Sequence, residues 1–315
     1  MKEKQGGLET MEYILTAKDL TKEYRHSAKA LNRFSIHVPK GAIYGFVGEN
    51  GAGKTTFIRI ICGLQAPTSG NYSLYGVKNT DKNILNSRKR IGAVIETPSI
   101  YLDMTARGNL KQQYQILGLP SYDGIDELLQ LVGLDNTGKK KAKHFSLGMR
   151  QRLGIAMALA GNPDFLILDE PSNGLDPQGV IEIRELLLRL NRKKQITILI
   201  SSHNLDELSR IATHYGFIAN GNKVEEITAK ELQKVCRKCV KLTVTDTDVL
   251  ARILDIMNIE YEILSDTEAN IYGEIPVSEL TLKLAQDNCY ITSMHEQAET
   301  LESYYINLVG GVNHE

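Results

Sequence analysis

The chain has 315 residues, 42% of them hydrophobic and 24% charged, with a formal net charge of −1 at pH 7. That length exceeds one typical domain and the balance is ordinary for a globular protein, so a large α/β domain with a smaller companion is the starting expectation. Near-neutral charge speaks against a general nucleic-acid surface, and the longest apolar runs, "FLIL" (165–168) and "ITILI" (196–200), are strand-sized, far short of the roughly 18–20 residues of a membrane span.

Residues 1–11 read as a loose polar tail, with Met11 as an alternative start, and "MKEKQGGLETMEYIL" has no apolar core for an export signal. From Glu12 to about Gly76, "YILTAKDL", "LNRFSIHV", "IYGFV" and "NYSLYGV" carry strand patterns. Residues 100–160 switch to helical periodicity in "NLKQQYQILGL", "IDELLQLVGL" and "RQRLGIAMALAG". Two apolar strands follow, "FLILD" and "ITILIS", separated by the amphipathic helix "GVIEIRELLLRLNRKK", which is a βαβ pattern and implies a parallel sheet. After about Thr228 the order β-α-β-β-α-β predicts a small ferredoxin-like α+β domain over 228–315, closed by a last helix, "TLESYYINLV".

The four cysteines read as reduced thiols of a cytosolic protein. Cys236 and Cys239 form a lone CxxC; a structural zinc site wants four ligands, and only Cys289 and His295 stand near in sequence. The basic run "KKKAK" (139–143) is read first as a solvated linker.

"GENGAGKTT" (48–56) fits GxxxxGK[ST], with a strand before it and helix-forming "FIRIICGL" after it. Glycines 48, 51 and 53 let the backbone wrap phosphates, and the helix start adds partial positive charge. Gly48, Asn50, Gly51, Ala52, Gly53, Lys54, Thr55 and Thr56 are therefore the candidate nucleotide cradle. Lys54 would reach the β- and γ-phosphates and the Thr55 hydroxyl would ligate Mg²⁺. "FLILDEP" (165–171) ends a buried strand in two acids: Asp169 for the Mg²⁺ shell, Glu170 to polarise an attacking water. "AVIETPSIY" (93–101) raises a third acid, Glu96, which stands as a base, a metal ligand or a surface group before a turn.

Between and after these motifs the chain resembles the ATP-binding-cassette (ABC) ATPases. "FSLGMRQRLGIAMAL" (145–159) is similar to their signature motif, "NGLD" (173–176) to their D-loop and "SSHNLDEL" (201–208) to their switch-histidine loop, in family order over roughly residues 12–225. The resemblance implies a P-loop core with a RecA-like parallel sheet, an antiparallel β subdomain and a helical subdomain at about 97–160, all within 12–227. It implies ATP and Mg²⁺ as ligands, Tyr24 stacking on adenine, Ser146 and Gly148 contacting the γ-phosphate on a second subunit, Asp176 lining that interface, and His203 sensing the phosphate beside Glu170. Glu96 stands where most cassettes have a Mg²⁺-touching Gln. The signature departs from LSGGQ at Phe145, Leu147 and Met149; Leu147 removes a glycine that permits close approach.

The same resemblance implies two partners: a second copy, giving a head-to-tail homodimer around two ATP molecules, and a transmembrane permease. The chain would then sit on the cytoplasmic face of the membrane through that permease. "IETP", "SLGM" and the C-terminal domain narrow the likeness to ATPases of bacterial exporters for bacitracin-like and lantibiotic peptides. The alternative is a non-transport cassette, such as a translation factor or a cluster-assembly ATPase.

Overall fold

The structure, a computed structural model, describes residues 12–24, 29–236, 239–273, 275–297 and 301–312, so the expected tail at 1–11 lies outside the described residues. The chain divides into two units, 1–229 and 230–315.

The strands of the first unit are β1 (Tyr13–Glu23), β2 (Lys29–Pro39), β3 (Ile43–Val47), β4 (Ser69–Leu74), β5 (Val77–Lys78), β6 (Ile91–Val94), β7 (Phe165–Asp169), β8 (Thr197–Ser202), β9 (His214–Ala219) and β10 (Asn222–Thr228). Its helices are α1 (Lys54–Ile61), α2 (Ile84–Arg88), α3 (Ala106–Ile116), α4 (Ile125–Leu131), α5 (Leu147–Leu159), α6 (Pro177–Lys194) and α7 (Leu205–Ser209). Helix α8 (Ala229–Val235) begins at the division between the units.

Two sheets organise this unit. An antiparallel sheet runs β2-β1-β4-β5, and a six-stranded sheet runs β10-β9-β3-β8-β7-β6. In the second sheet β3, β6, β7, β8 and β9 are parallel to their neighbours, with β10 joined antiparallel to β9 at the edge. Strands β3, β7 and β8 are buried at every position, the pattern expected when helices cover both faces of a parallel sheet. The hairpin β9–β10 is not among the sequence-predicted strands, because its polar second strand, "NKVEEIT", offers no apolar alternation.

The two sheets meet around α1. Phe34 of β2, Phe46 of β3 and Phe57 of α1 pack edge-on or tilted, their centroids 5.3 to 5.6 Å apart, and all three are essentially solvent-free. Burial of three aromatic rings anchors the start of α1 to both sheets, which sets where the loop 48–53 stands.

Residues 97–160 hold α3, α4 and α5 joined by turns, as their periodicity predicts. Helix α3 is capped by Thr105, whose side chain accepts from Gly108 N at 3.0 Å, and buried Asn109 ties the preceding loop by bonds to Tyr101 and Thr105.

The second unit contains β11 (Cys239–Val244), α9 (Thr247–Ile256), β12 (Glu260–Ile263), β13 (Glu268–Tyr272), α10 (Val277–Gln286), β14 (Ile291–Gln297) and α11 (Leu301–Val312). Its sheet runs β12-β13-β11-β14, antiparallel throughout, the split β-α-β topology expected from the sequence. Leu242, Val244, Leu250, Leu254, Ile271 and Leu280 form its own core. Among the described residues, no group of three or more His, Cys, Asp and Glu side chains could hold a metal ion, and none of the four cysteines forms a disulfide.

Candidate nucleotide and metal site

Parallel strands deliver their carboxyl ends to one edge of a sheet, and this edge collects the chemistry-bearing residues. In register, Val47 lies beside Ser202, Asp169 beside Ser201, and Val94 beside Leu168. The loop after β3, the acids ending β7, the serines ending β8 and Glu96 after β6 therefore leave the sheet side by side.

The loop 48–53 is shaped by close backbone approach. A Cβ on Gly53, whose φ is +112°, would lie 2.3 Å from the Ala30 carbonyl; one on Gly48 would lie 2.6 Å from the Ile218 carbonyl. Neither position admits a side chain without moving a strand. Gly53 also starts α1 with no side-chain cap, so the first N–H groups of that helix are left for an external acceptor. Asn50 and Gly51 are exposed, Ala52 is buried beneath the loop, and Thr56 is half-buried on the first turn.

Lys54 is 5% exposed, and its Nζ donates to Gly48 O at 2.5 Å and Glu49 O at 3.1 Å. The same ammonium is 3.2 Å from Glu170 Oε1, a buried oxygen that the ion pair neutralises without an aligned hydrogen bond. A buried cation is tolerated only when paired, so this carboxylate is the internal counter-ion for Lys54. Glu170 Oε2 is 2.8 Å from His203 Nδ1. Glu170 itself holds a left-handed backbone, φ +50°, with its N–H directed at Ser201 O (3.2 Å) and Ser201 Oγ (3.0 Å).

Asp169 is 1% exposed and accepts from Thr55 Oγ1 at 2.7 Å and from Ser201 Oγ at 2.5 Å. Lys54, Thr55, Asp169, Glu170 and His203 are thus brought together, and Ser201 joins the two acids. Ser201 was not singled out by the sequence reading. Its signal is a hydroxyl closing a buried strand two residues before His203, and strand register alone places it opposite Asp169.

The remaining candidates stand elsewhere. Ser146 caps α5, accepting from Met149 N at 3.2 Å, and Asp176 caps α6, accepting from Gly179 N at 3.2 Å with Pro177 in the first turn. A Cβ on Gly148 would meet Leu175 and Gly179 at ordinary contact distance, so the start of α5 lies against the start of α6. Leu147 is exposed by 48%, and Gly174 lies close against its side chain. Tyr24 follows β1 and is exposed, its hydroxyl donating to Gln65 Oε1 at 2.7 Å. Glu96 adopts φ +59° and pairs with Arg59 Nη2 at 2.6 Å. A groove of about 540 Å³ opens beside that pair, between β6 and helices α3 and α5. Cys62, at the far end of α1, lines it too; burial pushes this thiol up to about 12, with Arg88 opposing and Asp169 adding to the shift.

Thr55 and Asp169 fit a magnesium ion. They offer hard oxygen donors already in mutual contact, and an ion that keeps its waters needs only one or two protein ligands beside substrate phosphates.

Residues 31–173 match the family model described as "ABC transporter". The bacitracin transport ATP-binding protein BcrA of Bacillus licheniformis is 40% identical over 306 residues, covering 96% of this chain and 99% of that protein. The lantibiotic transport ATP-binding protein SrtF of Streptococcus pyogenes is 41% identical over 213 residues, 68% of this chain and 90% of that one. A dimeric bacterial ABC transporter cassette, MJ0796, superposes with a TM-score of 0.61 at 25% identity, over 68% of this chain and 98% of that chain. Among the described residues, no helix is long and apolar enough to cross a membrane.

Proposed function

The chain belongs to the ATP-binding subunits of ABC transporters and is an ATPase, and from that premise we propose that it drives a separate transmembrane permease exporting peptide antibiotics of the bacitracin or lantibiotic kind. The observation that carries this reading is likeness along almost the entire chain, the second unit included, to a bacitracin transport subunit. The relatives named above are transport proteins, which leaves the translation-factor and cluster-assembly alternatives without support.

In this reading ATP lies over the loop 48–53, its phosphates taking the free N–H groups at the start of α1 and the Lys54 ammonium. Thr55 and Asp169 hold Mg²⁺, which when bound neutralises charge developing on the β- and γ-phosphates. Ser201 keeps the Asp169 carboxylate oriented. Glu170 takes the proton of the attacking water, and His203 beside it senses the γ-phosphate. The Lys54–Glu170 contact has a simple consequence: a phosphate replaces Glu170 as counter-ion to Lys54 and frees the carboxylate for water.

Ser146, Gly148 and Asp176 lie at two adjacent helix starts and serve the site of a second copy, so that two chains enclose two nucleotides head to tail. Closure and reopening of that pair is the rigid-body output. Tyr24 takes the adenine ring, and the groove beside Arg59 and Glu96 receives the permease. The chain works at the cytoplasmic face of the membrane through that permease and binds no nucleic acid, in keeping with its net charge of −1.

Glu170→Gln tests the mechanism: ATP binding persists while steady-state hydrolysis falls by about 10²–10⁴-fold, the range for losing a general base. Near-normal turnover in that variant sinks the assignment of the base. Deleting this chain's gene and scoring sensitivity to bacitracin and lantibiotics tests the substrate class; unchanged sensitivity to both removes it.

A further inference from the structure

Asp169 ends β7 and Glu96 stands two residues past the neighbouring β6, yet they meet different turns of the same helix. Val94 is the register partner of Leu168, so the two carboxylates leave β6 and β7 one position apart along the sheet edge. On α1, Thr55 and Arg59 are four residues apart and share one face, one turn from each other. Thr55 takes Asp169 at 2.7 Å and Arg59 takes Glu96 at 2.6 Å. Glu96 is therefore held one helical turn away from the Thr55–Asp169 contact by a cation on the same helix.

We propose that Arg59 is a positioning residue that holds Glu96 off the metal, so that the Arg59–Glu96 ion pair sets how tightly the nucleotide site binds its divalent cation. This rests on the reading that Thr55 and Asp169 hold Mg²⁺. Three features make the pair an exchangeable hold. Both side chains are partly in solvent, 36% and 57% exposed, so their attraction is weak and screened. Glu96 sits at φ +59°, a conformation disfavoured for a residue with a Cβ, with "TP" following it. Return to the ordinary region redirects the carboxylate. The pair also lines the groove together with Thr97, Pro98, Gln113 and Leu117, so a group seated there touches both partners. A glutamine at position 96 would make no ion pair with Arg59. The carboxylate is what gives this chain the hold.

The test uses the full chain, a non-hydrolysable ATP analogue and Mn²⁺ as the probe cation, with bound and free Mn²⁺ read by electron paramagnetic resonance. Arg59→Ala releases Glu96 and tightens Mn²⁺ about two- to fivefold, the most that losing an exposed ion pair allows. Arg59→Lys keeps the charge and stays near the parent value. In a Glu96→Gln background, Arg59→Ala has no effect, because the group it restrained is gone. The Mg²⁺ concentration for half-maximal hydrolysis shifts in parallel, while thermal melts show that each variant is folded. Unchanged Mn²⁺ affinity in Arg59→Ala overturns the proposal, as does an equal shift with and without Glu96. Asp169→Asn separates the two levels. If it leaves Mn²⁺ binding intact, the metal-site reading itself fails; if it abolishes binding while Arg59→Ala is silent, only the positioning role fails.

Discussion

Helices α1 and α5 begin in opposite ways. Helix α1 starts from Gly53 in a left-handed conformation with no side-chain cap, whereas α5 starts from Ser146, whose hydroxyl already accepts from Met149 N. The first leaves its N–H groups for an anion supplied from outside. The second satisfies one of its own, and the Ser146 hydroxyl keeps its O–H to donate to a phosphate while accepting from Met149 N. One helix start is open within a single chain; in the proposed reading the other meets a phosphate only across a pair of chains.

Breaking the open start has the largest expected effect. Gly53→Ala forces a side chain against the Ala30 carbonyl at φ +112°, so stability falls by about 2–4 kcal/mol and nucleotide binding is lost. Thermal melting and fluorescent-nucleotide titration read both. Ser146→Ala attacks the other helix start. It costs about 1 kcal/mol, the usual value for a lost cap, and leaves binding of ATP to an isolated chain intact while steady-state hydrolysis falls. Equal loss of binding in both variants would erase the distinction between the two helices.

Asp246→Ala calibrates what a cap alone contributes. Asp246 accepts from Asp248 N at 2.9 Å and Val249 N at 3.3 Å at the start of α9 in the second unit. Its removal lowers stability by about 1 kcal/mol with ATPase activity unchanged, so a drop in hydrolysis in Ser146→Ala cannot come from cap loss as such.

At neutral pH the smallest effect concerns the other end of α1. Burial raises the Cys62 thiol from 9.0 to about 12, so it stays protonated at neutral pH and reacts slowly with iodoacetamide. Because the folded value is the higher one, its contribution to stability is complete below pH 9 and declines as pH rises from there toward 12, where only the unfolded chain is ionised. Melting curves of the native chain and Cys62→Ala over that interval check the sign: the native chain loses stability faster.

Much of this was open to reading in one dimension. Periodicity separated the strand-rich start from the helical stretch at 100–160, and the β-α-β-β-α-β order of the second unit follows from short alternating runs. The loop 48–56 and Asp169 could be named because one opens a helix and the other ends a buried strand, where local pattern is strongest; Glu170 follows from its place beside Asp169, and His203 was named only through the family resemblance. The hairpin β9–β10 was not, since its second strand is polar and half-buried. Ser201 and Arg59 were missed for a different reason: a serine in a strand and an arginine on a helix are common, and only their neighbours make them notable.

The sequence by itself determined the P-loop, the acids, their order and the two kinds of unit, because glycine, buried apolar runs and capping residues impose local geometry wherever they fall; the histidine came from the family resemblance. Tertiary structure alone decided which carboxylate goes with which partner. Parallel register sets Asp169 beside Ser201, and the helical repeat of α1 sends Asp169 to Thr55 but Glu96 to Arg59. Those pairings depend on strands that are neighbours in space but lie 32 to 155 residues apart in the chain, a relation that no local pattern encodes.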